Sequence, residues 1–387
     1  MHILEIPSFF TPYGGEFCLE QAKALKALGH EVRILSNVQL GVSIKGKDYM
    51  VLPFYRYEHQ RDGILIYQSF QRGLPRMIHH NVMRWVSIVE SMFRDYIQKY
   101  GKPDILHAHC AKWGGYAAMR ISKAYGIPYV ITEHLSLMAL EAEFGKAPSK
   151  AWQIPLLKQA YEQATMVVPV SEQLVADTAC YYGTAYRWQY LTNVIDTGFF
   201  HYAERRSRAG RPFRFCCIAD YSYRKGYDVL LDACRILQDR NCQMELHIAG
   251  RMTDGRGCLK AIAERGLRHI VTHGLVDREH VRTLLYESDA LVMASRSEVK
   301  PLVVFEAMST GIPVVGTTSI PPCQRIGNGC RIVPVGDAAA LADGMQALTE
   351  EPFADGRQLS EQVRLMASPE VVGRQLEQLF SDVLASS

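Results

Sequence analysis

Short apolar runs alternate with longer amphipathic stretches almost from end to end of the chain, and this rhythm restricts the fold more than any other property of the sequence. It is the pattern of βα units, in which each strand is followed by a helix that packs back on a parallel sheet. In the first half the expected strands are 2–6, 32–35, 104–109, 129–133 and 166–170; in the second they are 214–219, 245–249, 270–273, 290–294, 313–316 and 331–334. Several are unbroken apolar runs, as strands covered on both faces must be. Two open α/β sheets of Rossmann type follow. The length of 387 residues suits two domains at roughly 100–200 residues each. The boundary is expected at 202–212, where Glu204-Arg205-Arg206-Ser207-Arg208-Ala209-Gly210-Arg211-Pro212 is charged and apolar-poor just before a strand restarts. Domains 1–202 and 203–368 result, with a terminal helical stretch at 369–387.

Lys+Arg 43 against Asp+Glu 40 gives a net charge of +3, too small for nucleic-acid binding through overall charge. No apolar run approaches the ~18 residues that span a bilayer. Met1-His2-Ile3-Leu4-Glu5 lacks a charged leader and reads as the buried first strand of a cytoplasmic protein. The ten cysteines show no C-x-x-C and no Cys/His cluster at zinc spacing, so buried, reduced thiols are expected. One segment departs from the βα rhythm. From Pro75 to Tyr100 apolar positions such as Val82, Trp85, Val86, Val89, Phe93 and Tyr96 recur at helical spacing beside Arg72, Arg76, His79, His80, Arg84, Arg94 and Lys99. This is a core helix with a solvated basic face, or a helix whose 72–100 region makes peripheral contact with an anionic membrane at its inner face.

Three turns can carry chemistry. Gly14-Gly15 follows the first strand and opens a helix; glycines there let a ligand approach amides at the positive helix end, although such a turn also serves as a plain chain reversal. Tyr221-Ser222-Tyr223-Arg224-Lys225-Gly226 follows the first strand of the second half, where Arg224 and Lys225 can neutralise a diphosphate at the carboxyl edge of a sheet or remain a solvated pair. Ser297-Glu298-Val299-Lys300-Pro301-Leu302-Val303 leads from a strand into a helix that carries Glu306. The amides of Leu302 and Val303 can take phosphate oxygens, while both carboxylates accept from hydroxyls. A sugar nucleotide combines those groups. His107-Ala108-His109 sets two imidazoles on one face of a strand. No carboxylate or cysteine stands at ligand spacing in the sequence, so packing or acceptor contact is expected there rather than a metal.

Glu298 to Glu306 resembles the E-x7-E signature of retaining glycosyltransferases of family 4, and its surroundings agree. They include Leu28-Gly29-His30-Glu31-Val32, Pro103-Asp104-Ile105-Leu106-His107-Ala108-His109, Thr132-Glu133-His134, Pro169-Val170-Ser171, Lys225-Gly226 and Glu306-Ala307-Met308 before Gly311-Ile312-Pro313-Val314-Val315, in order over nearly the whole chain. The resemblance implies the GT-B fold, two Rossmann-like domains facing each other across a cleft, the first for the acceptor and the second for the nucleotide sugar, with the terminal helix packing back on the first. It implies a hexosyltransferase that needs no metal and takes a nucleotide-diphosphate sugar as co-substrate. The acceptor implied is a glycan or lipid-linked glycan of cell-surface polysaccharide. Position by position, Glu298 would contact donor hydroxyls, Glu306 the ribose, Lys225 with the Leu302 and Val303 amides the diphosphate, and Gly14-Gly15 the same diphosphate. His134 would stand near the reacting sugar, as a catalytic residue with Lys225 and Glu298; His107 and His109 would face the acceptor.

Three departures from the family pattern stand out. Ala219-Asp220 replaces Gly-Arg, so Arg224 is expected to supply the second phosphate cation. Lys300-Pro301 replaces Phe-Gly beside the donor sugar, and Asn193-Val194-Ile195-Asp196 replaces Asn-Gly-Val-Asp. A sugar-nucleotide epimerase of the same fold and a non-catalytic binding protein derived from a transferase are the alternatives.

Overall fold

The computed structural model describes residues 1–10, 14–41, 50, 56–144, 148–204 and 210–386. The chain forms two compact units, Met1–Val194 with Pro369–Ser387, and Ile195–Ser368.

The first unit is built on a seven-stranded sheet: β1 (His2–Pro7), β2 (Glu31–Leu40), β3 (Tyr57–Arg61), β4 (Ile64–Arg72), β5 (Ile105–His109), β6 (Tyr129–Glu133) and β7 (Met166–Pro169). The order is β3-β4-β2-β1-β5-β6-β7, parallel throughout except for the antiparallel β3-β4 hairpin at one edge. The inner strands β1, β5 and β6 are almost wholly buried, which requires helices on both faces. Helix Ile78–Tyr100 covers one face, sinking Val82, Trp85, Val86, Val89, Met92, Phe93 and Tyr96 into the core while His79, His80, Arg84 and Arg94, and Arg76 just ahead of the helix, stay exposed. Helix Glu16–Ala27 and the last helix, Pro369–Ala385, cover the other, with Val372, Leu376, Leu379 and Phe380 buried beside Leu19 and Leu25. Gly373 lets these two helices touch, since a Cβ there would lie 3.3 Å from the Ala24 carbonyl.

The second unit holds a six-stranded, fully parallel sheet: β8 (Phe213–Ile218), β9 (Met244–Ala249), β10 (Ile270–Gly274), β11 (Ala290–Met293), β12 (Val314–Thr317) and β13 (Cys330–Val333), in the order β10-β9-β8-β11-β12-β13. Apolar cores lie on its two faces. The unit begins ahead of the charged run in which a boundary was expected. Ile195 and Phe200 are buried in its core, and the Ile195 amide donates to the Ala367 carbonyl at 2.8 Å, so packing overrides composition there. Residues 205–209 of that run lie outside the described residues. No helix among those described is long and apolar enough to cross a membrane.

Candidate active site

In an open parallel sheet, ligands bind beyond the carboxyl ends of the strands where the strand order reverses. In the second unit that point lies between β8 and β11, and the loops after these two strands carry Arg224, Lys225 and Glu298. The first loop ends in a tight turn, Tyr223–Lys225, closed by Gly226 at φ +67°. A Cβ on Gly226 would stand 2.0 Å from the Ala294 carbonyl oxygen, so glycine is what lets the two loops meet. The Arg296 amide then donates to the Arg224 carbonyl at 2.7 Å, while the Arg296 guanidinium grips Asp228 and lies over the Tyr223 ring.

The contact brings the predicted donor residues together. Lys225 Nζ donates to Glu298 Oε1 at 2.6 Å, and Arg224 Nη1 donates to Glu298 Oε2 at 3.1 Å and to the Ser297 carbonyl at 3.0 Å. The Glu298 side chain is only 6% exposed, so a nearly buried carboxylate sits between two cations. Beyond it, helix Leu302–Ser309 starts after Pro301 with no side chain capping it. The Leu302 and Val303 amides have no intrahelical acceptor, and they follow Glu298 by four and five residues in the chain. Glu306 is half-buried in the second turn of the same helix.

Two of the departures from the family pattern have a structural outcome. At the position of the family arginine, Asp220 accepts instead from the Arg251 amide at 2.9 Å. Lys300 is buried, its ammonium donating to Cys323 Sγ at 3.2 Å and lying 4.9 Å from the centre of the Phe305 ring; burial pushes its pKa down, partly offset by Cys323.

In the first unit the reversal lies between β1 and β5, and the remaining predicted residues gather beside it. Gly14 and Gly15 turn the chain with φ +109° and +82°, and a Cβ on Gly15 would fall 2.4 Å from the Phe9 carbonyl oxygen. Helix Glu16–Ala27 starts there and lays Phe17 flat on His134, ring centres 3.6 Å apart. His134 follows β6, and its backbone is pinned by the buried Glu133. That carboxylate accepts from the amides of His134 and Leu135 at 2.9 Å, Ala111 at 3.1 Å and the Tyr161 hydroxyl at 2.9 Å. Tyr13 lies outside the described residues.

His107 and His109 are fully buried, and a carboxylate far away in the sequence, Glu5, stands beside them. β1 pairs with β5 so that Glu5 faces His107 in register. Glu5 Oε2 lies 2.8 Å from His107 Nδ1 and 2.8 Å from His109 Nε2; the second contact is an aligned hydrogen bond, the first an ion-pair approach off the hydrogen-bond direction. His107 Nε2 bonds the Thr132 hydroxyl at 2.7 Å, and His109 Nδ1 faces His134 Nε2 at 3.3 Å. Burial alone would raise the Glu5 carboxyl, but the two imidazoles outweigh it and hold the group at about 2. Burial, helped by the neighbouring His107, lowers His109 to about 4. His134 is pushed well down by burial and by His109 and His107. Among the described residues Glu5, His107 and His109 are the one group offering three metal-ligand atoms within 4.8 Å of one another. As it stands, Glu5 and His109 share one direct hydrogen bond at 2.8 Å, while His107 Nδ1 only approaches the same carboxylate oxygen.

Residues 14–199 match the model of Glycosyltransferase Family 4, and residues 212–351 match that of Glycosyl transferases group 1. The chain belongs to these glycosyltransferases. It is 29% identical over 332 residues to the putative teichuronic acid biosynthesis glycosyltransferase TuaC of Bacillus subtilis, covering 80% of this chain and 78% of the relative. In fold this glycosyltransferase is similar to sucrose-phosphate synthase of Thermosynechococcus elongatus, with a TM-score of 0.79 at 19% identity over the whole of both chains. It is also similar to Anabaena HepE in complex with UDP-glucose, with a TM-score of 0.72 at 16% identity, covering 99% of this chain and 100% of that one. Its two parallel-sheet α/β domains are those of the GT-B fold.

Proposed function

We propose that this glycosyltransferase moves a sugar, with retention of configuration, from a nucleotide-diphosphate sugar to a glycan or lipid-linked acceptor in cell-surface polysaccharide assembly. The observation that carries this reading is the cluster of Lys225, Arg224 and Glu298 on the loops after two adjacent strands, the second of which leads into the uncapped helix Leu302–Ser309. Cleavage of the anomeric C–O bond places growing negative charge on the departing diphosphate, and fixed cations and helix amides aimed at it lower the barrier. Lys225 and Arg224 release Glu298 as the diphosphate arrives. The freed carboxylate then accepts from donor hydroxyls, Glu306 holds the ribose, and no divalent ion is needed to neutralise the leaving group. Gly14-Gly15 opens amides toward the diphosphate, and His134 meets a hydroxyl of the reacting sugar or of the acceptor. His107, fully buried and bonded to Thr132, serves the interior rather than the acceptor.

The HepE structure with UDP-glucose and the teichuronic acid role in the name of TuaC support a nucleotide-sugar donor and a surface-glycan acceptor. The exposed Arg76, His79, His80 and Arg84 support contact with an anionic membrane through charge alone, because the apolar face of their helix is spent in the core.

A thermal-shift screen with UDP, ADP, GDP and their sugar conjugates, followed by turnover with and without EDTA, tests the reading. A ligand present at 100 times its Kd stabilises by about 2.7 kcal/mol. No shift with any nucleotide would remove the donor assignment, activity abolished by EDTA would remove metal independence, and donor conversion without acceptor would mark an epimerase.

A further inference from the structure

We propose that Glu5 and His109 are positioning residues that lock His134 in a single tautomer, with the Nε2 proton held inside the domain and Nδ1 left as an acceptor for a hydroxyl. The proposal rests on the reading that His134 meets a hydroxyl of the donor sugar or the acceptor.

Each link is fixed by the one before it. An ionised carboxylate has lone pairs and no proton to give, so a ring nitrogen in aligned contact with it must carry the hydrogen. Glu5 Oε2 therefore receives the Nε2–H of His109 at 2.8 Å. A neutral imidazole has one N–H, so His109 Nδ1 is bare. The atom facing it at 3.3 Å is His134 Nε2, which must be the donor. The single proton of neutral His134 is then committed inward, and its Nδ1 keeps a lone pair. The low pKa values of His109 and His134 agree with both rings being neutral near pH 7.

The rest of the surroundings fix everything about His134 except its tautomer. Glu133 anchors its backbone amide and Phe17 lies on its face. Neither can decide which nitrogen holds the proton; among the described residues His109, set by Glu5, does so. A ring of such low basicity orients a hydroxyl without taking its proton, so the arrangement suits alignment of a reacting oxygen. The carboxylate that imposes this lies on β1, 129 residues before His134 in the sequence, and no substrate needs to touch it.

The test uses the full-length protein labelled with 15N-histidine and read by long-range 1H–15N correlation, with His109→Asn and His134→Ala spectra for assignment. The expected result is Nε2–H for both His109 and His134. In Glu5→Met, which keeps the volume but offers no carboxylate, the acceptor left for His109 among the described residues is His134 Nε2. Both rings should then switch to Nδ1–H, and kcat/KM should fall by about tenfold, the worth of one hydrogen bond. An Nδ1–H form of His134 in the unsubstituted protein overturns the proposal, and this spectrum decides even where Glu5→Met fails to fold. Unchanged tautomers in a folded Glu5→Met protein overturn it too. Full activity of His134→Ala would instead remove His134 from the reaction, a separate failure that tautomer spectra cannot produce.

Discussion

Replacing Lys225 by methionine removes the ammonium and keeps the stem. In the free protein Nζ is 2.6 Å from Glu298, with the lysine side chain 16% exposed and the carboxylate 6% exposed. Loss of one charged hydrogen bond from a nearly buried carboxylate costs about 1.5–3 kcal/mol, and because Arg224 keeps its grip the expected loss is near 1–2 kcal/mol. For a domain of this size that lowers Tm by about 2–8 °C. The effect on the donor is separate. The diphosphate loses a charge-assisted contact of about 1.5–3 kcal/mol, which is roughly a 10–100-fold loss in nucleotide affinity and in kcat/KM. Calorimetric titration with UDP, ADP and GDP, run in parallel with thermal melts, resolves the two effects when Lys225→Met is made both alone and in a Glu298→Gln background. With the carboxylate neutralised, the lysine has no ionised partner in the free protein. Its removal should then barely move Tm, while nucleotide affinity should still fall. Glu298→Gln alone should bind nucleoside diphosphate at least as tightly as the unsubstituted protein, since Lys225 and Arg224 no longer have to leave a carboxylate. Unchanged nucleotide affinity in Lys225→Met, in either background, would refute the assignment of Lys225 to the diphosphate.

Gly226→Ala places a Cβ 2.0 Å from the Ala294 carbonyl at a positive φ, and a loss of about 2–4 kcal/mol is expected in urea melts, together with weaker nucleotide binding; a stable variant with full binding would show that the two loops need not touch. Native His109 titrates at about 4 against roughly 6.5 in an unfolded chain, so the unfolded state takes up the proton first as pH falls. Stability should therefore drop between about pH 6.5 and 4, by up to about 3 kcal/mol from this group, with His134 acting in the same direction; urea midpoints that hold steady or rise across that window would contradict it. Flotation with vesicles containing anionic lipid should be weakened by Arg76→Glu with Arg84→Glu by on the order of 2 kcal/mol, and indifference to the pair would point to a water-soluble acceptor.

Every strand expected from an apolar run is present; the inner ones, buried on both faces, announce themselves locally. The two that went unread, β3 and β4, form a hairpin around Asp62-Gly63, both at positive φ. The Asp-Gly turn between them is a hairpin signal in itself, but the first strand, Tyr57-Glu58-His59-Gln60-Arg61, has no apolar run to mark it. β2 runs on to Leu40 through buried Ser36 and Asn37, polar residues whose partners Gln68, Ser69 and Trp85 come from elsewhere in the chain. In the donor cluster, the spacing of Glu298, Glu306 and Lys225 could be read from the sequence. That Arg224 and Lys225 close on one carboxylate could not, since it depends on Gly226 meeting Ala294. Glu5 was invisible for the same reason: its partnership with His107 and His109 comes from β1 lying beside β5, an adjacency across a hundred residues that no local pattern encodes.

The return of helix Pro369–Ala385 to the first unit bears on how the molecule is made. During synthesis the first sheet emerges early, yet the groove beside helix Glu16–Ala27 stays uncovered until residues 369–385 have left the ribosome. At about 5–20 residues per second, the second unit takes roughly ten to thirty seconds to translate in between. That unit is free to fold at once, because Ile195 and Ala367 at its two ends are hydrogen-bonded to each other. The older half thus waits with an apolar strip exposed while the younger half finishes. Truncation after residue 368 would make that waiting state permanent, giving a nascent-chain species prone to chaperone capture and aggregation although Arg224, Lys225 and Glu298 are all present.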